Sequence, residues 1–423
     1  MIRAGFGQNV ITPEVGAEMP GQIQKKISQG VHDDLLANAM VLDDGATQLV
    51  LAGVDALSIK RSTVLKARKR IEAATGIPAG HVLISASHTH HGGPTADVFM
   101  SESDPAYCDW VAEQVAQAAV EAYEKREKVR VIVGAGQESS VAFNRRFRMK
   151  NGKEQTHPGK GNPDIVRVAG PIDPMVGVIG AVTETCALLG CWVNYCCHAT
   201  LGVGGNGFSA DYIYYLRQTV RRAMGAHGAI VVFANGASAD VTQVDNLTDR
   251  ESEFGAHWGW HVGATVGAEA VKVLARMDYT DEAPLGCANE MLTLPLRDPG
   301  DAPSGQARGW GRQDAWEREL ELLKEIKKVE PDVTAEIQMM RIGRAGLVAV
   351  PAEYFCYYGL EIKANSPFTP TFAVSLANGC VGYVPTPQAF VGGGYEPRTA
   401  RSSKLCPDAG DRIAEAAIRL LNS

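Results

Sequence analysis

No stretch of this chain approaches the roughly 18 uninterrupted apolar residues that a spanning helix needs, so no stable membrane insertion is expected. A basic surplus is missing as well. Forty-one Lys and Arg against 48 Asp and Glu leave a net charge of −7, which disfavours broad binding to nucleic acid or anionic membranes. Cysteine is sparse and unpatterned: nine residues, an odd number, include the adjacent pair Cys196-Cys197 but no C-x-x-C, which reads as reduced, buried thiols and not as a disulfide framework. The first eight residues carry one Arg, Arg3, with no apolar segment behind it, so nothing marks the chain for secretion and a cytoplasmic setting is expected. Long biased linkers are also lacking, since the Pro- and Gly-rich stretches at 152–163 and 295–309 are short; a single domain over residues 1–423 is the expectation.

What is present is an ordinary folded composition, 45% hydrophobic and 21% charged over 423 residues, enough to bury a large core. One order of elements recurs three times: two short apolar strands joined by a polar turn, a helix, then a third strand. The first copy takes strands at 36–42 and 48–54, a helix at 62–74 closed by Gly76, and a strand at 82–85. The second takes 175–182, 188–196, a helix at 211–224 and 230–234. The third takes 336–342, 347–350, a helix at 354–364 and 372–377. Further helices are expected at 109–126, 251–277 and 409–421, and a charged one at 313–330 whose Glu319, Glu321, Lys324 and Lys327 suit a solvated face. Strongly apolar strands joined through helices predict an α/β fold of layered mixed sheets covered by helices, αββα-like.

Ligands in such folds collect beyond the carboxyl ends of strands. The strand at 82–85 runs into Ser87-His88-Thr89-His90-His91-Gly92, that at 188–196 into Cys197-His198-Ala199-Thr200, and that at 347–350 into Pro351-Ala352-Glu353. The last strand of the third copy leads to Gly382-Tyr383-Val384-Pro385-Thr386. Two imidazoles and a carboxylate at one edge suit a divalent metal, Zn²⁺ above all, which leaves a position open for water. If His88-x-His90 is extended, both rings face the same side and His91 points away. Alone, such a cluster reads equally as surface or core histidine.

Taken together the segments resemble the neutral/alkaline ceramidase family, zinc amidases with T-H-T-H-S-G-like, M-H-A-T-like, P-G-E-like and G-Y-V-T-T segments followed by Y-E-G. The counterparts here are those just quoted, with Tyr395-Glu396 for the last. Ile11-Thr12-Pro13, Gly30-Val31-His32-Asp33, Asn144-Arg145 and Asp173-Pro174 extend the resemblance along nearly the whole chain. It implies zinc ligands His88, His198, Glu353 and Tyr383, with His90, Arg145 and Tyr395 handling the carbonyl and the proton. Only the resemblance makes Tyr383 a ligand; by itself it reads as a buried aromatic. Arg145 by itself, in Asn144-Arg145-Arg146-Phe147-Arg148, reads as part of a solvated basic loop, with phosphate or carboxylate recognition as the other reading.

Three departures bear on the substrate. The family's G-D-V-S-P serine segment reads Ala239-Asp240-Val241-Thr242-Gln243, so Thr242 takes the serine's place and metal-activated water is the expected nucleophile. No C-terminal β domain follows the helix expected at 409–421, and no apolar helical insertion suits a long lipid chain. The expectation is therefore a zinc-dependent hydrolase of an amide or related C–N bond in a small or polar substrate. The alternatives are a metal-dependent lyase, isomerase or hydrolase of carbohydrate-like compounds, and a non-catalytic metal-binding protein; oligomeric state is not legible.

Among rival features, His257 and His261 share a helix face, but Trp258 stands where a metalloprotease has Glu, so aromatic packing is expected. Asp211 reads as a helix cap or as an acceptor orienting His198, and Asp55 and Asp240 as further acceptors for a ligand imidazole. The glycine-rich 202–207 lacks the Lys-Ser/Thr of a phosphate loop and reads as a mobile substrate loop, and Gly392-Gly393-Gly394 before Tyr395 as letting that loop adjust on binding.

Overall fold

The computed structural model describes residues 1–250, 252–299 and 313–423. Its fold is mixed α/β, built from three four-stranded units of the same connectivity. In the first, Arg3–Val10, Leu36–Asp43 and Gln48–Val54 form an antiparallel run; helix α1 (Arg61–Thr75) then crosses over to Val82–Ala86, which lies parallel to Gln48–Val54, and α2 (Pro105–Glu124) follows. The second repeats this with Arg130–Gln137, Met175–Val182, Leu188–Tyr195, α3 (Tyr212–Ala223), Ile230–Asn235 and α4 (Gly255–Leu274). After α5 (Gln313–Val329) the third completes Leu285–Pro295, Asp332–Ile342 and Ala345–Ala349 with α6 (Cys356–Ala364) and Thr371–Val374. The short α7 (Pro387–Gly392) and the closing α8 (Ala409–Leu421) end the chain.

The alternation of side chains along each strand decides the layering. Met40, Leu42, Leu49 and Leu51 of the first sheet point to a centre shared with Ile179, Trp192 and Val232 of the second and with Leu347 and Phe372 of the third. Their neighbours in sequence, Val41, Val50 and Ala52, point the other way onto α1 and α2. The second sheet likewise backs onto α3 and α4, and the third onto α6 and α8. Sheets thus meet at the middle and helices cover the outside.

Close approach at the centre requires missing side chains. A Cβ on Gly53 would stand 2.3 Å from Phe233 O of the second sheet, and one on Gly177 2.5 Å from the Phe372 ring of the third. Backbone cannot rotate aside as a side chain can, so Gly53→Ala should cost about 1 to 3 kcal/mol. Urea unfolding of the full chain checks this, and an unchanged midpoint would mean that the sheets can slide apart freely.

The elements expected from the sequence are present, with ends moved by a few residues. The helix expected at 251–277 is shorter, as α4, and residue 251 lies outside the described residues; so does part of the loop expected at 295–309. The expected solvated face of α5 is only partly so. Glu321 and Lys324 pair in solvent at 2.7 Å, whereas Glu319 is wholly buried against Arg401, whose Nη2 donates to Oε1 at 2.7 Å. Among the described residues no helix is long and apolar enough to cross a membrane.

Candidate metal centre

Short stretches of non-sheet pairing gather the loops at the carboxyl ends of strands from all three units. Thr89 and Ala199 form a parallel bridge, which sets His88 and His90 beside His198. Glu353-Tyr354 pairs in parallel with Tyr383-Val384, Glu353 opposite Tyr383, so carboxylate and phenol leave the same face as neighbours. His198 N–H donates to Val241 O at 3.0 Å, and Arg145 N–H to Asp240 O at 2.8 Å, bringing in the pair formed by Phe143-Asn144 with Val241-Thr242.

The result is a buried cluster. His88 Nε2 and His198 Nε2 lie 3.3 and 3.6 Å from Glu353 Oε2, and His90 Nε2 lies 3.4 Å from His88 Nε2. His88, His90 and His198 each offer a ring nitrogen within 4.8 Å of the others. Two of the rings have their tautomer fixed from behind: Nδ1–H of His88 donates to Leu57 O at 2.8 Å, and Nδ1–H of His198 to Ser238 O at 2.6 Å. A carbonyl only accepts, so the neutral form of either ring turns a bare Nε2 lone pair inward. Glu353 Oε2 is buried and makes no hydrogen bond of ordinary geometry.

Inward lone pairs crowding a carboxylate oxygen repel one another unless a proton or a cation stands among them. Zinc bonds of about 2.0 to 2.2 Å in a tetrahedron set neighbouring donors roughly 3.3 to 3.6 Å apart, the spacing found here. The donor set therefore fits a divalent cation. Electrostatics run the same way. Burial, then Arg145 and His88, bring the His198 imidazole down to about 3. Burial followed by His88 and His198 holds His90 well below its ordinary value. Burial pushes the Glu353 carboxyl up, but His88 and His198 outweigh it and hold it well below the usual range.

Around this cluster lies a layer of paired charge. Arg145 Nε donates to Glu396 Oε1 at 2.8 Å, its Nη1 lies 3.4 Å from His198 Nε2, and its Nη2 donates to Tyr383 Oη at 3.2 Å. Arg146 bonds the other Glu396 oxygen and Glu154. Burial pushes the Tyr383 phenol well up, and Glu353 adds to this against Arg145, so it stays protonated. Tyr395 stands edge-on to Tyr383, ring centres 5.8 Å apart.

Several expectations from sequence need correction. Residues 144–148 are no solvated loop: Arg145 and Arg146 are buried, because each finds a buried carboxylate. His88 and His90 do face one site, but not through extended backbone; His88 has φ of 66°, a left-handed residue held by His88 N–H to Ala56 O. None of Asp55, Asp211 and Asp240 orients a ligand imidazole. Asp55 takes Arg217 at 2.6 and 3.0 Å, Asp211 caps α3, and Asp240 accepts from Asn144 and Cys356 N–H. Carbonyls do that work, and no residue type in the sequence announces a carbonyl. Thr242 is buried, with Oγ1 accepting from Val244 N–H; among the described residues no hydrogen bond joins it to the cluster.

Other readings hold. His91 points away, to Lys26 and Gly205 O. His257 and His261 sit on α4 beside Trp260 and Trp258 and do not join the cluster. The glycine-rich 202–207 segment, expected to be a mobile substrate loop, is instead partly tied down by pairing of Gly207-Phe208 with Gly30-Val31.

No family model and no curated protein matches this sequence. Among solved structures, the chain is similar to the neutral ceramidase from Pseudomonas aeruginosa, at 19% identity and TM-score 0.76 over 99% of this chain and 74% of that one. A structure described as a ceramidase complexed with C2 matches at 18% identity, TM-score 0.76 and the same coverage. The chain thus has a neutral ceramidase-like fold, as the resemblance of its motifs implies.

Proposed function

We propose that this protein is a zinc-dependent hydrolase of an amide or related C–N bond in a small or polar substrate, with residues 1–423 acting as one catalytic domain. The observation that carries the reading is Glu353 Oε2, buried without an ordinary hydrogen bond and 3.3 and 3.6 Å from two imidazole nitrogens. His88, His198, Glu353 and Tyr383 would hold the zinc. When bound there, zinc polarises a carbonyl and makes water acidic enough to attack near neutral pH.

The remaining chemistry belongs to the chain. Arg145, fixed by Glu396, keeps its charge and presents donors where a carbonyl oxygen gains charge. His90 Nε2, beside His88, takes the attacking water's proton and returns it to the leaving nitrogen; Tyr395 holds the substrate from the Tyr383 side. The likeness to ceramidase structures supports an amide as the bond broken, and the Thr242 hydroxyl, which accepts from Val244 N–H in its own turn, supports water as nucleophile. A cavity of about 210 Å³ reaches His88 and Glu353, less than the ~300 to 1,000 Å³ usual for drug-sized ligands, and supports a small substrate over ceramide. The unpaired state of all nine cysteines suits a cytoplasmic setting.

The purified chain should carry one zinc, lose it to a chelator, and release free amine from short polar amides only when zinc is restored. Unchanged hydrolysis after complete metal removal, or no zinc uptake at all, overturns the reading.

A further inference from the structure

The cavity beside the cluster has His88, Glu353, Lys60, Asp97, Arg401 and Lys404 in its wall, so three cations face a space that opens next to the reacting centre. Two are already neutralised. Lys60 Nζ lies 2.5 Å from Asp97 Oδ2, and Arg401 donates from Nε and Nη2 to Glu319 Oε1 at 3.0 and 2.7 Å while Nη1 reaches Glu102 at 3.2 Å. Lys404 differs. Its ammonium donates to the Arg401 carbonyl at 2.9 Å, and among the described residues no carboxylate stands within ion-pair distance of it. An ammonium has three donors, so this one keeps unused donors at a site that opens on the cavity. Burial lowers the Lys404 pKa, the mark of a charge held without enough compensation.

A half-buried cation beside a reaction centre attracts whatever can supply the missing anion. Its neighbours cannot, because Asp97 is spent on Lys60 and Glu319 on Arg401. We propose that Lys404 recognises a carboxylate carried by the substrate, so that the molecules hydrolysed are small N-acyl compounds bearing a free acid. This rests on the hydrolase reading above and narrows it to a substrate class. A monoanion fits better than a phosphate dianion, since a single ammonium is available and Asp97 and Glu353 share the same wall. The cavity's volume of about 210 Å³ favours a short acid over one with a long chain enclosed beside it.

The test is calorimetric binding to the zinc-loaded full chain, with N-acetylglycine and its neutral analogue N-acetylglycinamide as probes. The acid should bind about tenfold or more tightly than the amide, as a charge-assisted hydrogen bond predicts. Lys404→Met should erase that preference while leaving amide binding and the melting temperature unchanged, and Lys404→Arg should keep it. The preference should also survive chelation of the zinc, which separates Lys404 from simple ligation of a carboxylate to the metal. Equal binding of acid and amide to the unaltered chain, a preference that persists in Lys404→Met, or no saturable binding of the acid overturns the proposal. Hydrolysis of neutral amides without any preference for acids would sink the Lys404 assignment and spare the hydrolase. Charge-dependent binding without turnover would do the reverse.

Discussion

His88→Ala should strip the bound zinc and lower amide hydrolysis by more than about 100-fold, the loss at stake when even a supporting residue of a metal site is removed. The fold should survive. The imidazole leaves behind one unsatisfied carbonyl, Leu57 O, and a small cavity, costs of about 1 to 3 kcal/mol in a chain this large. Elemental analysis of the variant, circular dichroism and amine release separate metal loss from unfolding. His91→Ala is the matched control, since His91 faces Lys26 and Gly205 and should leave zinc in place. A His88→Ala chain that holds a full equivalent of zinc and turns over normally would remove His88 from the site.

The second large effect concerns stability. Glu396 is wholly buried between Arg145 and Arg146 and accepts also from Thr156 Oγ1 at 2.8 Å. Glu396→Gln keeps the shape and removes the charge, leaving Arg146 with Glu154 and Arg145, among the described residues, without a carboxylate in ion-pair contact. Breaking a buried pair in this way costs about 3 to 5 kcal/mol. Chemical denaturation of the variant measures it, and a change of less than about 1 kcal/mol would mean that solvent reaches the arginines. The same group gives a pH dependence. Burial pushes its carboxyl up, but Arg146 and Arg145 win and hold it at about 2, below the ordinary 4.5. The folded state therefore binds this proton less readily than the unfolded chain. Its contribution is complete above about 4.5 and is lost as the pH falls from there toward 2. Glu396→Gln should flatten that part of the acid unfolding curve.

The apolar strand pairs and the helices between them were readable because most of their strands are buried on both faces, one against the centre and one against helices, and so are largely apolar. That burial left a threefold order of elements visible without any identity of residues. Boundaries slipped where capping decides: α2 starts at Pro105 because Asp104 caps it, ahead of the apolar pattern. The clustering of His88, His198, Glu353 and Tyr383 followed from asking what stands at strand ends, and the motif resemblance added the phenol. What could not be read was the support. Leu57 and Ser238 act through backbone oxygen, which every residue possesses. Glu319 and Arg146 look like surface residues in a helical charge pattern and a basic run, and only the partner chain segments, far away in sequence, show that they are buried.

Each of the three units contributes something that the others lack: the first His88 and His90, the second His198, the third Glu353 and Tyr383. Arg145 and Tyr383, in hydrogen-bond contact, stand 238 residues apart along the chain. Closing such distances is among the slowest events in the folding of a polypeptide. An intermediate with two units docked and the third still loose would possess most of its strands but only part of the proposed metal site. If the proposed metal-dependent hydrolysis is right, metal uptake would mark the last step of assembly, and a partly folded chain would lack that activity.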